Sequence, residues 1–270
     1  MLPEDIEPKR ESVRTSPSLA LSWRPAERLL VFMHYQEAAR AGGLAVGPTS
    51  SPQSVQRFES DTISMIEGGF RFGRSGRDPF AASATLSYSR WSDVQADLVD
   101  GTGLPFTVNI GNGRVIGLDT SISWTPISSV QLEFSAFFIH SSLKDPAPAY
   151  AAADERDLPN VAESGGRAAV TYHVTLSPSA SLVLDGSVRY VGSSQLGIGP
   201  PIDVSQGRYL ESSVGGRLGL GRIGLSLDVS NLGDVRGNRF AFGNPFGLVA
   251  RNQITPLRPR SIRIGLDAKF

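Results

Sequence analysis

Acidic and basic residues balance at 26 each in this chain of 270, so no net field draws it to nucleic acid or to an anionic surface. It has no cysteine, which excludes disulfides and thiolate metal sites. Its longest run of large apolar residues, Leu29 to Met33, falls far short of the roughly 20 residues that a membrane helix needs.

The opening "MLPEDIEPKR" is acidic and basic by turns and lacks the apolar run of an export signal. From there the chain alternates. About eleven strands are expected, near 16–24, 28–37, 60–73, 79–97, 105–125, 128–142, 165–177, 180–193, 207–220, 223–233 and 258–270. In "VIGLDTSISW" Ile116, Leu118, Ile122 and Trp124 oppose Gly117, Asp119, Ser121 and Ser123. In "AAVTYHVTL" Ala168, Val170, Tyr172, Val174 and Leu176 oppose Thr171, His173 and Thr175, and "IGLSLDVS" repeats the arrangement. The closing "SIRIGLDAKF" sets Ile262, Ile264, Leu266, Ala268 and Phe270 against Arg263, Asp267 and Lys269. A two-residue period with unlike faces is a β-strand between two environments. Many of these strands are longer than those of soluble sheets and match the roughly 9 to 11 residues of a tilted strand that crosses a bilayer.

The connections carry a second regularity. Tight turns ("WRPAERL", "GRSGRDP", "WTPISSV", "LSPSASL", "LGLGRIGL") follow the odd-numbered strands, and longer segments rich in Gly, Pro and Ala follow the even-numbered ones. In an antiparallel up-and-down sheet this trims one edge and elaborates the other, the habit of outer-membrane barrels. Trp23, Tyr35, Tyr88, Trp124 and Tyr190 near strand ends suit the two membrane interfaces, though each also suits the core of a soluble sandwich.

Along nearly its whole length the chain resembles the carboxy-terminal part of TonB-dependent outer-membrane receptors. "SPSLALSWRP" with "LLVFMHYQEAARAGGLAVG" resembles a strand, turn and strand of that family, with Ala38 and Ala39 where Gly and Phe are usual. "SDTISMIEGGFRFG" supplies a Glu-x-Gly element at Glu67 and Gly69. "TVNIGNGRVIGLDTSISWTP" supplies Asn109, Gly111, Gly117 and Leu118, with Asp119 where Glu is more common. "LSLDVSNLGDVRGN" and "PRSIRIGLDAKF" resemble the last two strands. The resemblance implies an all-β antiparallel transmembrane barrel, of which about eleven strands over residues 1–270 form half of a 22-stranded whole, with no second domain and no plug.

It also implies a Gram-negative outer-membrane location and a parent that takes up a scarce siderophore, vitamin or carbohydrate. Coupling to a TonB-type transducer would run through the missing plug. Ile262, Ile264, Leu266, Ala268 and Phe270 then form the signal read by the barrel assembly machinery, their apolar face turned to outer-membrane lipid. Arg40, Phe240, Phe242 and Phe246 lie in long outside loops where a transported ligand would pass. No cofactor, metal or nucleic acid is expected. Two other readings remain open: a small autonomous barrel acting as passive pore or adhesin, closed by a twelfth strand within residues 1–14, and a soluble β-rich module.

Enzyme chemistry finds no support. "GLGRIG" (Gly219 to Gly224) fits a dinucleotide pattern, but period-two sequence follows where a helix is required. "SSLK" (Ser141 to Lys144) has no partner motif and reads as loop. His34, His140 and His173 lack ligand spacing, and the acidic run Asp154 to Asp157 reads as a solvated tip with a lesser claim on calcium.

Overall fold

The computed structural model describes residues 14–46, 55–99, 104–153, 156–198, 202–240 and 255–268. In chain order the strands are β1 (Ser18–Ala26), β2 (Leu29–Arg40), β3 (Gly43–Val46), β4 (Val55–Phe58), β5 (Asp61–Phe72), β6 (Phe80–Ser92), β7 (Gln95–Val99), β8 (Pro105–Asn109) and β9 (Asn112–Ile127). There follow β10 (Val130–Lys144), β11 (Ser164–Ser177), β12 (Ala180–Gln195), β13 (Ser205–Leu220), β14 (Ile223–Ser230), β15 (Asn238–Phe240), β16 (Thr255–Pro256) and β17 (Ser261–Ala268). A short 3-10 segment, Pro148–Ala153, lies between β10 and β11.

Eleven of these strands form one antiparallel sheet in the order β1-β2-β5-β6-β9-β10-β11-β12-β13-β14-β17. The tight turns after β1, β5, β9, β11 and β13 gather at one edge, and the elaborated connections at the other. Those connections carry the β3-β4 and β7-β8 hairpins, and β15 and β16, which extend the sheet through Gly207↔Asn238. The sheet is not closed, because β1 and β17 are its two ends. With nine strands between them in an antiparallel order, both end strands run from the elaborated edge to the trimmed one.

Two expected strands are too long. The stretches 79–97 and 105–125 break at Ser92 and Asn112, and their inner ends form the separate β7-β8 hairpin. Asp93, at φ 54°, turns the chain in the left-handed region that Asp tolerates better than most side chains. Because the two-residue alternation continues through β7 and β8, periodicity alone does not mark this break. Residues 1–13, all but the last of the stretch in which the autonomous-barrel alternative sets its closing strand, lie outside the described residues.

Register fixes which side chains share a face. One row runs Leu21↔Met33, Met33↔Gly68, Gly68↔Leu86, Leu86↔Leu118 and Leu118↔Phe138. Further along, Leu182↔Leu218, Leu218↔Leu225 and Leu225↔Leu266 continue the same face. This face is bare. Leu19 is 61% exposed, Leu86 60%, Ile264 73% and Leu266 77%. The chain exposes 17723 Å², where a compact soluble protein of its mass exposes roughly 11,000 Å². A soluble sandwich would pack that face against a second layer, and none covers it among the described residues. Trp23, Tyr35, Trp124 and Tyr190 project from it as well, Trp23 and Trp124 near the trimmed edge and Tyr35 and Tyr190 towards the other.

The opposite face carries Arg71, Ser83, Ser121, Ser135, Arg167 and Arg189 in a single row, with Ser83 and Ser121 hydrogen-bonded at 2.8 Å. Lower down, Arg217 on β13 donates to both carboxylate oxygens of Asp267 on β17 (3.1 and 2.6 Å), passing over β14 at Gly224. A Cβ at Gly224 would stand 2.2 Å from Arg217 Nη2. The last glycine of "GLGRIG" is therefore the floor of an ion pair. Gly221, at φ +56°, makes the turn itself.

Two of the tight turns share a device. Trp23-Arg24-Pro25 and Trp124-Thr125-Pro126 both end a strand, and the register slips between Trp23 and Ala26 and between Val130 and Leu132. Proline has no N–H to give the ladder, so pairing skips it and the strand bends into its turn.

Candidate functional site

The buried core does not lie under the sheet. Ile110, Leu143, Leu158, Leu196, Ile198 and Ile202 belong to one apolar cluster at the elaborated edge, with Val94, just before β7, and Leu98 and Val108 of the β7-β8 hairpin. Ile110 and Leu143 have no exposed surface. The connections containing residues 93–111, 145–163 and 196–204 thus share one core, although each is a separate excursion from the sheet.

Hydrogen bonds set these connections in place. Leu158 N donates to Ser141 Oγ (3.0 Å), Leu143 N to Arg156 O (2.8 Å) and Ala147 N to Ile110 O (2.9 Å). Asn160 donates from its main chain to Gln195 O (2.7 Å) and from Nδ2 to Leu196 O (3.1 Å), while its Oδ1 accepts from Gln206 (2.9 Å). Burial in the 3-10 segment pushes the Tyr150 phenol up. "SSLK", expected as loop, is instead the outer end of β10, with Ser141 and Ser142 buried as supports.

A second cluster ties the first excursion to the second. Asp61, 1% exposed, accepts from Arg40, from Trp91 Nε1 (2.8 Å) and from Gln95 N (3.3 Å). Arg40 lies over the Trp91 ring (5.2 Å) and donates to Gln95 O (3.1 Å). Gln95 Nε2 then reaches Ala41 O and Glu59 O, and Asn109 bridges Glu59 and Asp93. Three donors saturate a carboxylate that could not be buried charged without them.

Arg40 therefore stands in this cluster, paired with Asp61 and with 55% of its side chain exposed. Phe240 ends β15, within the last excursion, and Phe242 and Phe246 lie outside the described residues. Asp154 and Glu155 of the acidic run lie outside them too, while Arg156 pairs with Asp203 (3.1 Å). His34 contacts Ser18 (3.1 Å) and Glu67 (3.4 Å), and no group of potential metal ligands assembles among the described residues. Ile262, Ile264, Leu266 and Ala268 lie on the bare face, opposite Val229, Leu227, Leu225 and Ile223; Phe270 lies outside the described residues.

Sequence reasoning missed Asp61, Trp91 and Gln95. The pairing of β2 with β5 that sets Leu29 opposite Phe72 also sets Arg40 opposite Asp61, so register supplied a usable clue for the first. Nothing along the chain links Trp91 to either. The "SNLGD" element proves structural as well. Asn231, 2% exposed, accepts from Val235 N (2.9 Å) and donates to Val235 O and Arg258 O (both 3.0 Å), and Asp234 Oδ1 accepts from Arg260 N (3.0 Å). It clamps the base of the last excursion where the chain enters β17.

Comparison with known proteins agrees with this architecture. A family model described as "TonB dependent receptor-like, beta-barrel" matches residues 5–232. None of the curated proteins matches the sequence. Among solved structures, the ferric yersiniabactin uptake receptor FyuA from Yersinia pestis superposes with a TM-score of 0.75 at 17% identity, over 94% of this chain and 37% of its own. The ferric preacinetobactin receptor BauA from Acinetobacter baumannii gives 0.69 at 16%, over 94% and 36%. The copper transporter OprC gives 0.69 at 16%, over 94% and 39%. The chain thus spans little more than a third of these proteins, and the likeness is one of fold.

Proposed function

Because the chain belongs to the TonB-dependent receptors, as a stretch of their β-barrel, we propose that it is the carboxy-terminal half of a 22-stranded outer-membrane barrel whose parent takes up a scarce ligand with energy from a TonB-type transducer. The observation that carries this is the open sheet. Its apolar face is continuous and bare, and unpaired edges are untenable in lipid, where each unmet backbone group costs several kcal/mol. β1 and β17 run in the same direction, so joining them would make a parallel seam in an otherwise antiparallel wall. A complement with an odd number of strands and oppositely directed ends makes both seams antiparallel.

The elaborated edge is then the outside and the trimmed edge the periplasmic rim. Ligand capture falls to the outer excursions, with Arg40 and the phenylalanines at 240, 242 and 246 as candidate contacts. Plug displacement by the transducer completes the transport step. Ile262, Ile264, Leu266, Ala268 and Phe270 present the assembly signal. The solved structures with this fold include two receptors for ferric chelates and a copper transporter, so the fold does not choose a ligand; a siderophore, vitamin or carbohydrate fits equally.

An antibody against residues 145–163, used on outer-membrane fractions, tests the reading. A band of two to three times the mass of this chain is expected, together with uptake of one ligand from a panel of ferric chelates, vitamins and carbohydrates that stops when the transducer is deleted. A heat-modifiable band at the mass of 270 residues, conducting ions in planar bilayers, would overturn it in favour of a passive pore.

A further inference from the structure

The trimmed edge bears a concentration of positive charge that nothing above has used. Pairing of β2 with β5 sets Leu29 opposite Phe72, which brings the turn after β1 beside the turn after β5, and Gly73 N donates to Arg28 O (2.8 Å). The result is a concavity of about 590 Å³ lined by Arg24, Arg28, Arg71, Arg74 and Arg77, with only Glu27 and Asp78 against them. In a chain of zero net charge this is a marked local excess.

Internal contacts absorb little of it. Asp78 Oδ2 caps the main-chain N–H of Arg74 (2.7 Å), and Asp78 Oδ1 lies 3.6 Å from Arg28. Arg28 also donates to Phe80 O (3.2 Å) and lies over the Phe72 ring (5.1 Å), so it serves as the fixed wall. Arg71 rests on Phe32 (5.3 Å). Arg24, Arg71, Arg74 and Arg77 are exposed and have no ion-pair partner among the described residues.

The concavity does not face lipid. Leu30 and Arg71 share a row on the polar face, while their neighbours Val31 and Phe70 project from the apolar one. A lipid headgroup is thereby disfavoured. Nor does one small anion fit the spread, since the guanidinium groups come from two turns and two strands. Arginine is the side chain suited to bidentate carboxylate pairing.

We propose that this arginine collar is a docking surface for an acidic polypeptide segment, one whose carboxylates are spaced along an extended chain, at the inner mouth of the barrel. Its position at the trimmed edge follows from the sheet alone. The term inner mouth and the outer-membrane source of the protein rest on the reading above; a heat-modifiable parent that binds no peptide fails this proposal alone, and a parent absent from outer membranes fails that reading.

The test uses the protein extracted from outer membranes in detergent and a fluorescent octaglutamate peptide. Salt-sensitive binding is expected. The triple variant Arg24→Ser, Arg74→Ser, Arg77→Ser should weaken it by about tenfold or more, each solvated guanidinium–carboxylate contact contributing a factor of about two to five. A matched variant at the far edge, Arg57→Ser, Arg236→Ser, Arg239→Ser, should bind as the parent does. Both must show the parent's heat-modifiable mobility, which separates lost binding from lost folding. Absence of binding at low salt, or equal loss in the matched variant, would overturn the proposal. So would displacement of the peptide by inorganic phosphate at equal charge concentration, which marks a small-anion site, or retained peptide binding with loss only of anionic vesicles, which marks a lipid contact.

Discussion

Asn231 on one side of the last outer excursion donates to Arg258 O on the other at 3.0 Å, while buried to 2% exposure. This single side chain joins the end of β14 to the approach to β17. Together with Asp234, whose Oδ1 accepts from Arg260 N at 3.0 Å, it ties the two ends of that excursion where β17 enters its pairing with β14.

Asn231→Ala removes three hydrogen bonds and leaves buried main-chain groups unmet, a loss of about 2–4 kcal/mol. Asn231→Asp keeps the acceptor for Val235 N but sets a buried carboxylate oxygen against Val235 O and Arg258 O, so it should destabilise at least as much as alanine. The temperature at which the folded band converts to the unfolded one on gels orders the three proteins. Equal values for all three would show that the clamp does not hold β17.

Removing the carboxylate of Asp61 strips the Arg40, Trp91 and Gln95 donors of their common acceptor. Asp61→Ala should destabilise the edge locally by about 1–3 kcal/mol, the range for hydrogen bonds to charged groups with one partner half solvated. Hydrogen exchange at residues 93–99 should quicken while β9 amides stay protected. Trp91→Phe, which loses one donor and keeps the ring beneath Arg40, should have a smaller effect in the same peptides.

Leu143 and Ile110 are fully buried where three excursions meet. Leu143→Ala should cost about 2–5 kcal/mol in lost transfer energy and cavity. Since the loss falls on a shared core, protease cleavage should rise together in 104–110, 156–163 and 196–198. Cleavage rising in one of the three alone would show that the excursions are independent.

Ile264 is 73% exposed on the apolar face and Arg263 is its neighbour on the polar one. Ile264→Arg places a charge in the hydrocarbon, at about 2–4 kcal/mol if near the midplane. Arg263→Ala removes a charge from the wet side. The first should lower the amount recovered in outer membranes and the second should not. Comparable recovery of both would contradict the assignment of faces.

The alternation of apolar and polar residues determined most of the wall: eleven strands, the two faces and the division into a trimmed and an elaborated edge. These are local properties, because period two requires only neighbours two residues apart, and proline and glycine at the turns act on their own backbone. The break of the expected 79–97 strand at Asp93 escaped because the hairpin beyond it keeps the same period. What the tertiary structure alone decided is everything at the edges. Asp61 acquires Trp91 from a strand 30 residues away, Ile110 meets Leu158 across two excursions, and Arg24 meets Arg77 only because β2 lies beside β5. Contacts between excursions depend on which strands adjoin and on irregular backbone that no repeat encodes, and so they become legible only once the sheet has set its order.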